Sequence, residues 1–272
     1  MSSLVQDLRY GIRILRSHPG FAVVSILTLA LGIGANTAIF SVVNGLLLRP
    51  LPLEEPDRLV LVRDTQPGSG SAPASFPEYL DWRERAPTFQ ELGAYFSTTF
   101  SLTGAGEPVQ LPAMRVSANL LPMLGLAPLV GRGFRLEEEK PGGELVAMIS
   151  QALWKRRFGG SRSVLGTKIV LAGKPYTLVG VLPPGFPLGS HPDVCIPLLL
   201  DAKNAPRGLH FITVVGRLRR GPDLARARSE IETLAARLRA DGATRHGIEI
   251  VPLQESVVGD TRSALLVLLG AV

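Results

Sequence analysis

The most reactive side chains of the sequence lie in the run His191-Pro192-Asp193-Val194-Cys195, which holds an imidazole, a carboxylate and a thiol. All three groups bind transition metals. The run is predicted to be extended, so only alternate residues share a face, and a fourth ligand would have to come from His210 or His246. Because an unpaired cysteine is commonly a small buried apolar residue, we interpret the run as a loop followed by a buried strand. We therefore predict no metal site; a membrane-bound metalloenzyme is the alternative.

Motifs of other enzyme chemistries are missing from the sequence. Gly166-Thr167-Lys168 ends like a phosphate-binding loop, but Ser161 stands where the first glycine is needed for backbone amides to wrap a triphosphate. Gly32-Ile33-Gly34 and Gly131-Arg132-Gly133 lack the third glycine of a dinucleotide site. Neither His-Glu-x-x-His nor Gly-x-Ser-x-Gly occurs. We predict no catalytic residues and no cofactor, and that the chain is not an enzyme.

The composition points to a membrane. Of 272 residues, 46% are hydrophobic and 19% are charged, and the mean hydropathy is +0.24. The net charge of +6 is spread along the chain, which argues against a nucleic-acid partner. A single cysteine excludes a disulfide framework.

An uncharged stretch of the sequence covers residues 21–48, between His18 and Arg49. At about 1.5 Å per residue it is longer than a bilayer core of roughly 30 Å. A cleaved signal peptide would have a shorter apolar region and a small-x-small cleavage site. We therefore predict an uncleaved transmembrane helix within residues 19–49.

Small and polar residues recur at helical spacing along this predicted span. Small residues four apart let another helix approach closely, and hydroxyl groups can hydrogen-bond across such a contact, whereas amides in lipid need partners. The predicted helix-packing residues are Ala30, Gly34, Asn36, Thr37, Ala38, Ser41, Asn44 and Gly45. We interpret the helix as part of a bundle; the alternative is a single-pass anchor that tolerates these small and polar residues.

The segment before the span, residues 1–18, is predicted to be an amphipathic helix. Its apolar residues repeat at helical spacing, and Arg9, Arg13 and Arg16 follow the same spacing one residue later. An apolar stripe beside an arginine stripe suits a membrane interface and contact with lipid. Basic residues precede and follow the span in equal number, so charge does not fix the orientation. We expect the short N-terminus inside and the long domain exported.

The last residues of the sequence are again apolar. Residues 263–272 are uncharged, and this stretch has about half the length of a membrane span. We expect residues 261–272 to be the start of a truncated second transmembrane helix; a buried terminal helix is the alternative.

Between the membrane segments, the sequence predicts the same order of elements twice. A strand at 58–64, a helix capped by Ser75 and Glu78, and an alternating strand at 96–102 form the first unit, with a further capped helix at Thr88-x-x-Glu91. The second unit is a strand at 209–219, a helix opening after Gly221 and a strand at 247–253. Two such units on one sheet indicate an α+β fold of split ferredoxin-like type over residues 50–116 and 201–260.

The residues between these two units are predicted to form a separate insertion. Residues 145–149 are predicted to form a strand, Ser150 caps a helix that Gly159 ends, and residues 167–182 form a hairpin. We therefore predict an inserted β-rich subdomain at 117–200.

With these residues in hand, the chain resembles the MacB-type family of ABC transporter permeases. The match lies in LGIGANTAIFSVVNG at 31–45 and continues through LRPLP at 48–52 and PDRLV at 56–60. Within the family, the chain is similar to the duplicated orphan permeases of acidobacterial type. The resemblance implies one transmembrane helix, a periplasmic domain of porter and inserted β-rich subdomains, and three further helices.

The resemblance also implies partners and a mechanism. A separate ABC ATPase subunit would hydrolyse ATP in the cytoplasm, and mechanotransmission through a homodimer or pseudo-dimer in the bacterial inner membrane would export or extract an unknown amphiphilic substrate. The remaining helices and the loop expected to dock the ATPase are missing from the sequence, so we expect this chain alone not to couple to ATP. An FtsX-like membrane-anchored regulator of an extracytoplasmic partner enzyme is the alternative function.

Overall fold

The computed structural model describes residues 2–43, 51–66, 68, 70–104, 107–186, 188, 191–199, 205–221 and 224–256, without the side chains of 2–8, 12, 35, 39, 40, 42 and 43. The chain divides into two units. Their described parts are an N-terminal helical segment, 2–43, and what we call the sheet domain, 51–256.

The N-terminal segment consists of α1 (Ser2–Ser17) and α2 (Pro19–Val43). Pro19 opens α2 in the first turn, where its missing N–H needs no intrahelical partner. The stretch Pro19–Ala38 has a mean hydropathy of 1.8 and only 6% of it is buried, so its length and composition suffice to cross a membrane. Residues 44–49 of the predicted span lie outside the described residues.

The described residues of the sheet domain include twelve strands, four α-helices between Phe76 and Ala240, three short 3-10 helices and a helical stretch at 253–256. The strands are β1 (Leu59–Gln66), β2 (Gly70–Ala72), β3 (Ala74–Ser75), β4 (Phe89–Thr103), β5 (Val109–Val116), β6 (Val130–Gly131), β7 (Val146–Ile149), β8 (Lys168–Leu171), β9 (Lys174–Val181), β10 (Val194–Pro197), β11 (His210–Leu218) and β12 (Gly247–Pro252). The four α-helices are α3 (Phe76–Arg85), α4 (Leu120–Met123), α5 (Gln151–Phe158) and α6 (Leu224–Ala240).

The predicted ferredoxin-like arrangement is confirmed by the sheet order. β12, β1, β11 and β4 are neighbours in this order, and each pair is antiparallel. α3 connects β1 to β4 and α6 connects β11 to β12, so the two strand–helix–strand units interlock in one sheet.

Both faces of β1 are buried. On one face, Val60 and Val62 share an apolar core with Trp82 of α3 and Ile231 of α6. On the other face, Leu59 shares a second core with α4, β5 and β10. Alternation along a strand sends successive side chains to opposite faces, so the first four residues of β1, Leu59–Val62, are all apolar.

The sheet continues beyond the ferredoxin-like part through the second half of β4. There β4 pairs with β5, and the order runs on through β10, β7, β9 and β6. Ser150 caps α5 by accepting a hydrogen bond from the Leu153 amide at 3.0 Å, and β8 and β9 form a hairpin. The strand, capped helix and hairpin predicted for the insertion are thereby confirmed.

One predicted helix is wrong. Thr88 and Glu91 have capping-box spacing, but β4 begins at Phe89 and pairs with β11, with Glu91 opposite Arg217. The cross-strand pairing and the burial of Phe89 and Leu92 outweigh the local cap. By contrast, the box at Ser75 and Glu78 forms as predicted at the start of α3.

A buried arginine fixes the segment that leads into β1. Arg217 donates to the carbonyl of Met123 at 2.5 Å and to that of Glu54 at 2.7 Å. Glu55 forms ion pairs with Arg58, Arg217 and Arg220. We call Glu55, Arg58, Arg217 and Arg220 the arginine–glutamate cluster. Because Arg217 pairs with Leu59, the first residue of β1, this cluster lies where β1 begins.

Candidate functional site

The predicted helix-packing residues lie on α2 as far as the structure describes them. Ala30, Gly34, Asn36, Thr37, Ala38 and Ser41 are exposed, whereas Asn44 and Gly45 lie outside the described residues. The Thr37 hydroxyl donates to the Ile33 carbonyl at 2.7 Å, which satisfies it within the helix. Contact of these residues with another helix stays a prediction.

The three predicted interfacial arginines, Arg9, Arg13 and Arg16, are exposed along α1. Their spacing keeps them on neighbouring turns of one helix. Contact with lipid stays a prediction.

The His191–Cys195 run is a loop followed by a buried strand. Cys195 lies within β10 and is fully buried, and burial raises the pKa of its thiol, which keeps the sulfur protonated and inert. His191 is exposed. Asp193 accepts a hydrogen bond from the Ser150 hydroxyl at 2.6 Å, so its carboxylate supports the start of α5.

Four other residues of metal-ligand type converge in the sheet domain. Asp64, Glu78, His210 and His246 each place a nitrogen or carboxylate oxygen within 4.8 Å of the others. We call them the His–carboxylate cluster. Asp64 lies two residues before the end of β1, Glu78 lies in the first turn of α3, His210 begins β11 and His246 directly precedes β12.

The strand pattern explains why these residues meet. β1 runs antiparallel to β11 and β12, so the end of β1 and the beginnings of the other two lie at the same edge of the sheet. On each of the three strands, alternate side chains face the helices, and the last of these side chains at this edge is polar. The rows are Val60, Val62 and Asp64; His210, Ile212 and Val214; and His246, Ile248 and Ile250.

Sequence reasoning missed the cluster, although it named His210 and His246 as possible ligands beside Cys195. The sequence does hold a pattern that points to the cluster: in each of the three alternating apolar rows, the next position of the row is a histidine or a carboxylate. This pattern identifies a site only once the order of the strands in the sheet is known.

The two histidines approach both carboxylates. His246 Nδ1 lies 2.8 Å from Asp64 Oδ2 and 3.6 Å from Glu78 Oε1. His210 Nε2 lies 3.4 Å from Asp64 Oδ2 and 3.3 Å from Glu78 Oε2. Neither nitrogen makes a hydrogen bond of acceptable geometry, although both atoms are buried.

Hydrogen bonds hold the carboxylate of Glu78 in place. Its Oε2 accepts from the Ser75 amide at 2.9 Å and from the Ser75 hydroxyl at 2.8 Å. Its Oε1 accepts from the Thr244 hydroxyl at 3.3 Å. The cap of α3 therefore also orients one member of the cluster.

Asp64 is the most deeply buried member of the cluster, with 1% of its surface exposed. Burial, and next the negative charge of Glu78, raise the pKa of the Asp64 carboxyl, and Gln66 and the two histidines oppose this. A buried carboxylate beside a second one is costly unless a positive charge accompanies it.

Comparison with known proteins places this fold in one family. The sequence matches the MacB-like periplasmic core domain over residues 22–234. A search of the curated proteins finds no match.

Several solved structures, among them the following three, share the fold. A permease domain from Porphyromonas gingivalis is 18% identical with a TM-score of 0.57 and covers 74% of this chain and 93% of its own. The extracellular domain of the noncanonic ABC-type transporter YknZ from Gram-positive bacteria is 15% identical, with a TM-score of 0.53 and coverages of 71% and 99%. The periplasmic region of MacB from Actinobacillus actinomycetemcomitans is 10% identical, with a TM-score of 0.55 and coverages of 75% and 92%.

The family match starts within α2, covers the insertion and three of the four strands of the ferredoxin-like sheet (β1, β4 and β11), and ends within α6. An apolar helix thus precedes an extracytoplasmic domain whose role in this family is transport and not catalysis. The chain belongs to the MacB-type family of ABC transporter permeases and carries its MacB-like periplasmic core domain.

Proposed function

We propose that this chain is the N-terminal portion of a permease subunit in the bacterial inner membrane. A separate ABC ATPase would drive it from the cytoplasm, and movement of the membrane helices would reach the periplasmic sheet domain and export or extract an amphiphilic substrate. The observation that carries this proposal is the family match, which joins the candidate membrane helix and the sheet domain in one sequence.

The exposed side chains of α2 support an assembly with further membrane helices. An isolated lipid anchor has no need for Asn36, since an unpartnered amide is costly in hydrocarbon. Added carbon at Gly34 would meet nothing within 4 Å in this chain, which leaves that surface open to another helix. We infer a homodimer or pseudo-dimer in which these residues contact a partner helix while Arg9, Arg13 and Arg16 contact lipid headgroups.

A detergent pull-down of the tagged full-length native gene product tests the proposal. We expect an ABC ATPase to co-purify and its turnover to change when the permease is present. Absence of any ATPase, together with activation of a cell-wall hydrolase by the sheet domain, would instead establish the FtsX-like regulator.

Two glycine variants test the helix contact. Gly32 and Gly34 both have open space around an added carbon in this chain, and leucine favours helix at either position. We expect Gly34→Leu to weaken co-purification or coupling, because it fills the predicted packing ridge, and Gly32→Leu to retain both. Equal behaviour of the two variants would remove the predicted ridge from the interface.

A further inference from the structure

We propose that the His–carboxylate cluster binds one divalent transition-metal cation, with zinc as the best-fitting ion, through His210 Nε2, His246 Nδ1 and one oxygen each of Asp64 and Glu78. This site is independent of the proposed transport role. It would hold together the two strand–helix–strand units of the sheet.

The spacing of the ligand atoms fits a tetrahedral ion. Zinc binds imidazole nitrogen and carboxylate oxygen at about 2.0–2.1 Å, which separates neighbouring ligands of a tetrahedron by roughly 3.3 Å. Asp64 Oδ2 lies 2.8 Å from His246 Nδ1 and 3.4 Å from His210 Nε2, while Glu78 approaches His210 Nε2 with Oε2 at 3.3 Å and His246 Nδ1 with Oε1 at 3.6 Å. One ligand atom from each of the four residues lies within 4.8 Å of the others, so the four residues are close to the spacing that a small cation requires.

The hydrogen bond made by Nδ1 of His210 supports a role for its Nε2 as a metal ligand. His210 Nδ1 lies 3.2 Å from the carbonyl oxygen of Gly208, which can only accept, so Nδ1 carries a proton. In the neutral imidazole this leaves a lone pair on Nε2, facing two carboxylates. Metal-bound histidines are commonly oriented by such a bond from the other ring nitrogen.

The carboxylate side of the cluster is supported in the same manner. Ser75 and Thr244 donate to Glu78, and the Thr244 hydroxyl also accepts from the His246 amide at 3.1 Å. Thr244 thus connects two of the four ligands. These bonds fix the ligands before an ion arrives, as outer contacts of metal sites do.

The charge balance also favours a divalent cation. Two carboxylates and two neutral imidazoles carry a charge of minus two, which one such ion would neutralise inside a buried site. The mixed nitrogen and oxygen set favours zinc and its neighbours over magnesium or calcium, which prefer oxygen ligands alone. The side chains of His210 and His246 are 14% and 25% exposed, so the ion can enter from the histidine side.

Zinc titration of the full chain in detergent, purified without a histidine tag and stripped with chelator, tests the site. We expect one zinc per chain in competition with a chromogenic chelator, and a rise in Tm of about 5–10 °C at free zinc near 100 times Kd. Magnesium and calcium should leave Tm unchanged. Zinc-edge absorption should show nitrogen and oxygen ligands without sulfur.

Substitutions assign the ligands. His246→Gln and Asp64→Asn should each weaken zinc binding by more than about 100-fold, while His191→Gln, which changes an exposed histidine outside the cluster, should bind as the wild type does. Each variant is compared with its own chelator-treated Tm, so loss of folding is distinguished from loss of zinc. Failure of the wild type to bind zinc, or wild-type affinity in both cluster variants, would overturn the proposal.

Discussion

At the beginning of β1, a buried arginine makes hydrogen bonds to backbone carbonyls and an ion pair with Glu55, whereas near the end of the same strand two buried histidine nitrogens lie beside carboxylates without a hydrogen bond. In the arginine–glutamate cluster, Arg217 is 5% exposed and its donors reach the carbonyls of Met123 and Glu54. In the His–carboxylate cluster, His210 Nε2 and His246 Nδ1 are buried without a hydrogen bond. The first network is complete within the protein.

This difference separates a structural network from a binding site. A buried charge with all its hydrogen bonds made fixes local structure and offers nothing to a ligand. Two buried histidine nitrogens that lack a hydrogen bond and lie beside two carboxylates leave a place for a positive ion. Two clusters on one strand pair can therefore have different roles, and each role predicts a different response to substitution.

The largest expected effect is at the complete network. Arg217→Leu removes the donors to the carbonyls of buried Met123 and of Glu54, together with the ion pair to Glu55, so we expect a loss of about 3–5 kcal/mol in the free energy of unfolding. Denaturant unfolding followed by tryptophan fluorescence measures it. Arg220→Leu is the matched control, because Arg220 contacts the same Glu55 but is 79% exposed, and it should leave unfolding unchanged. Equal effects of the two variants would contradict the assignment.

The next effect is a pH dependence at the incomplete cluster without metal. The pKa of Asp64 is raised in the folded state from its ordinary 3.8, so the folded protein binds this proton more tightly than the unfolded chain. Its contribution to stability is therefore full at low pH and is lost as pH rises through the folded pKa. Burial is the main cause of the raised pKa of Asp64 and the negative charge of Glu78 adds to it, while Gln66, His246 and His210 lower this pKa.

Asp64→Asn should remove this loss. In chelator, we expect Tm of the wild type to fall relative to the variant as pH rises above the ordinary carboxyl range. With zinc present the order should reverse, because deprotonated ligands bind the ion and only the wild type holds it. Parallel Tm profiles of the two proteins in chelator would show that Asp64 is not the titrating group.

A smaller effect is expected at the helix cap that supports the cluster. Ser75→Ala should cost about 1 kcal/mol of stability and weaken zinc binding about 10-fold, because Glu78 loses a donor. Ser150→Ala is the matched control, since Ser150 caps α5 in the same way but supports no member of the cluster. It should lower stability while zinc affinity stays at the wild-type value. Weakened zinc binding in both variants would indicate a general loss of packing.

The smallest effect is expected at an ion pair on the solvent side of α6. Arg226 and Glu230 are one helical turn apart at 3.2 Å. Glu230→Gln should change the free energy of unfolding by about 0.3–0.5 kcal/mol, and less in high salt. Denaturant unfolding at low and high salt measures this change in the free energy of unfolding. A loss comparable to that of Arg217→Leu would show that burial does not determine how much an ion pair contributes to stability.

Much of the fold could be predicted from the sequence because its signals are local. The capping box at Ser75, the cap at Ser150 and the alternation in 96–102 each lie within a few residues, and each element forms where expected. Thr88 and Glu91 carry the same local signal and yet lie at a strand, because pairing with β11 decides the structure there.

The candidate site could not be predicted in the same way. In the sequence, the ligand-type residues that stand close together are those of the His191–Cys195 run, and the thiol of that run is buried in a core. The members of the His–carboxylate cluster come from separate elements, and only the antiparallel order of β1, β11 and β12 brings them to one edge. Strand order depends on the whole sheet and cannot be predicted from the residues next to any member of the cluster.

The length of β4 has a mechanical consequence. This strand has 15 residues, so it extends for about 50 Å, with its first half bonded to β11 and its second half to β5. One uninterrupted backbone therefore crosses from the ferredoxin-like sheet into the neighbouring strands, without a hinge between them. We expect the two parts to move together, because this one strand is hydrogen-bonded to both of them.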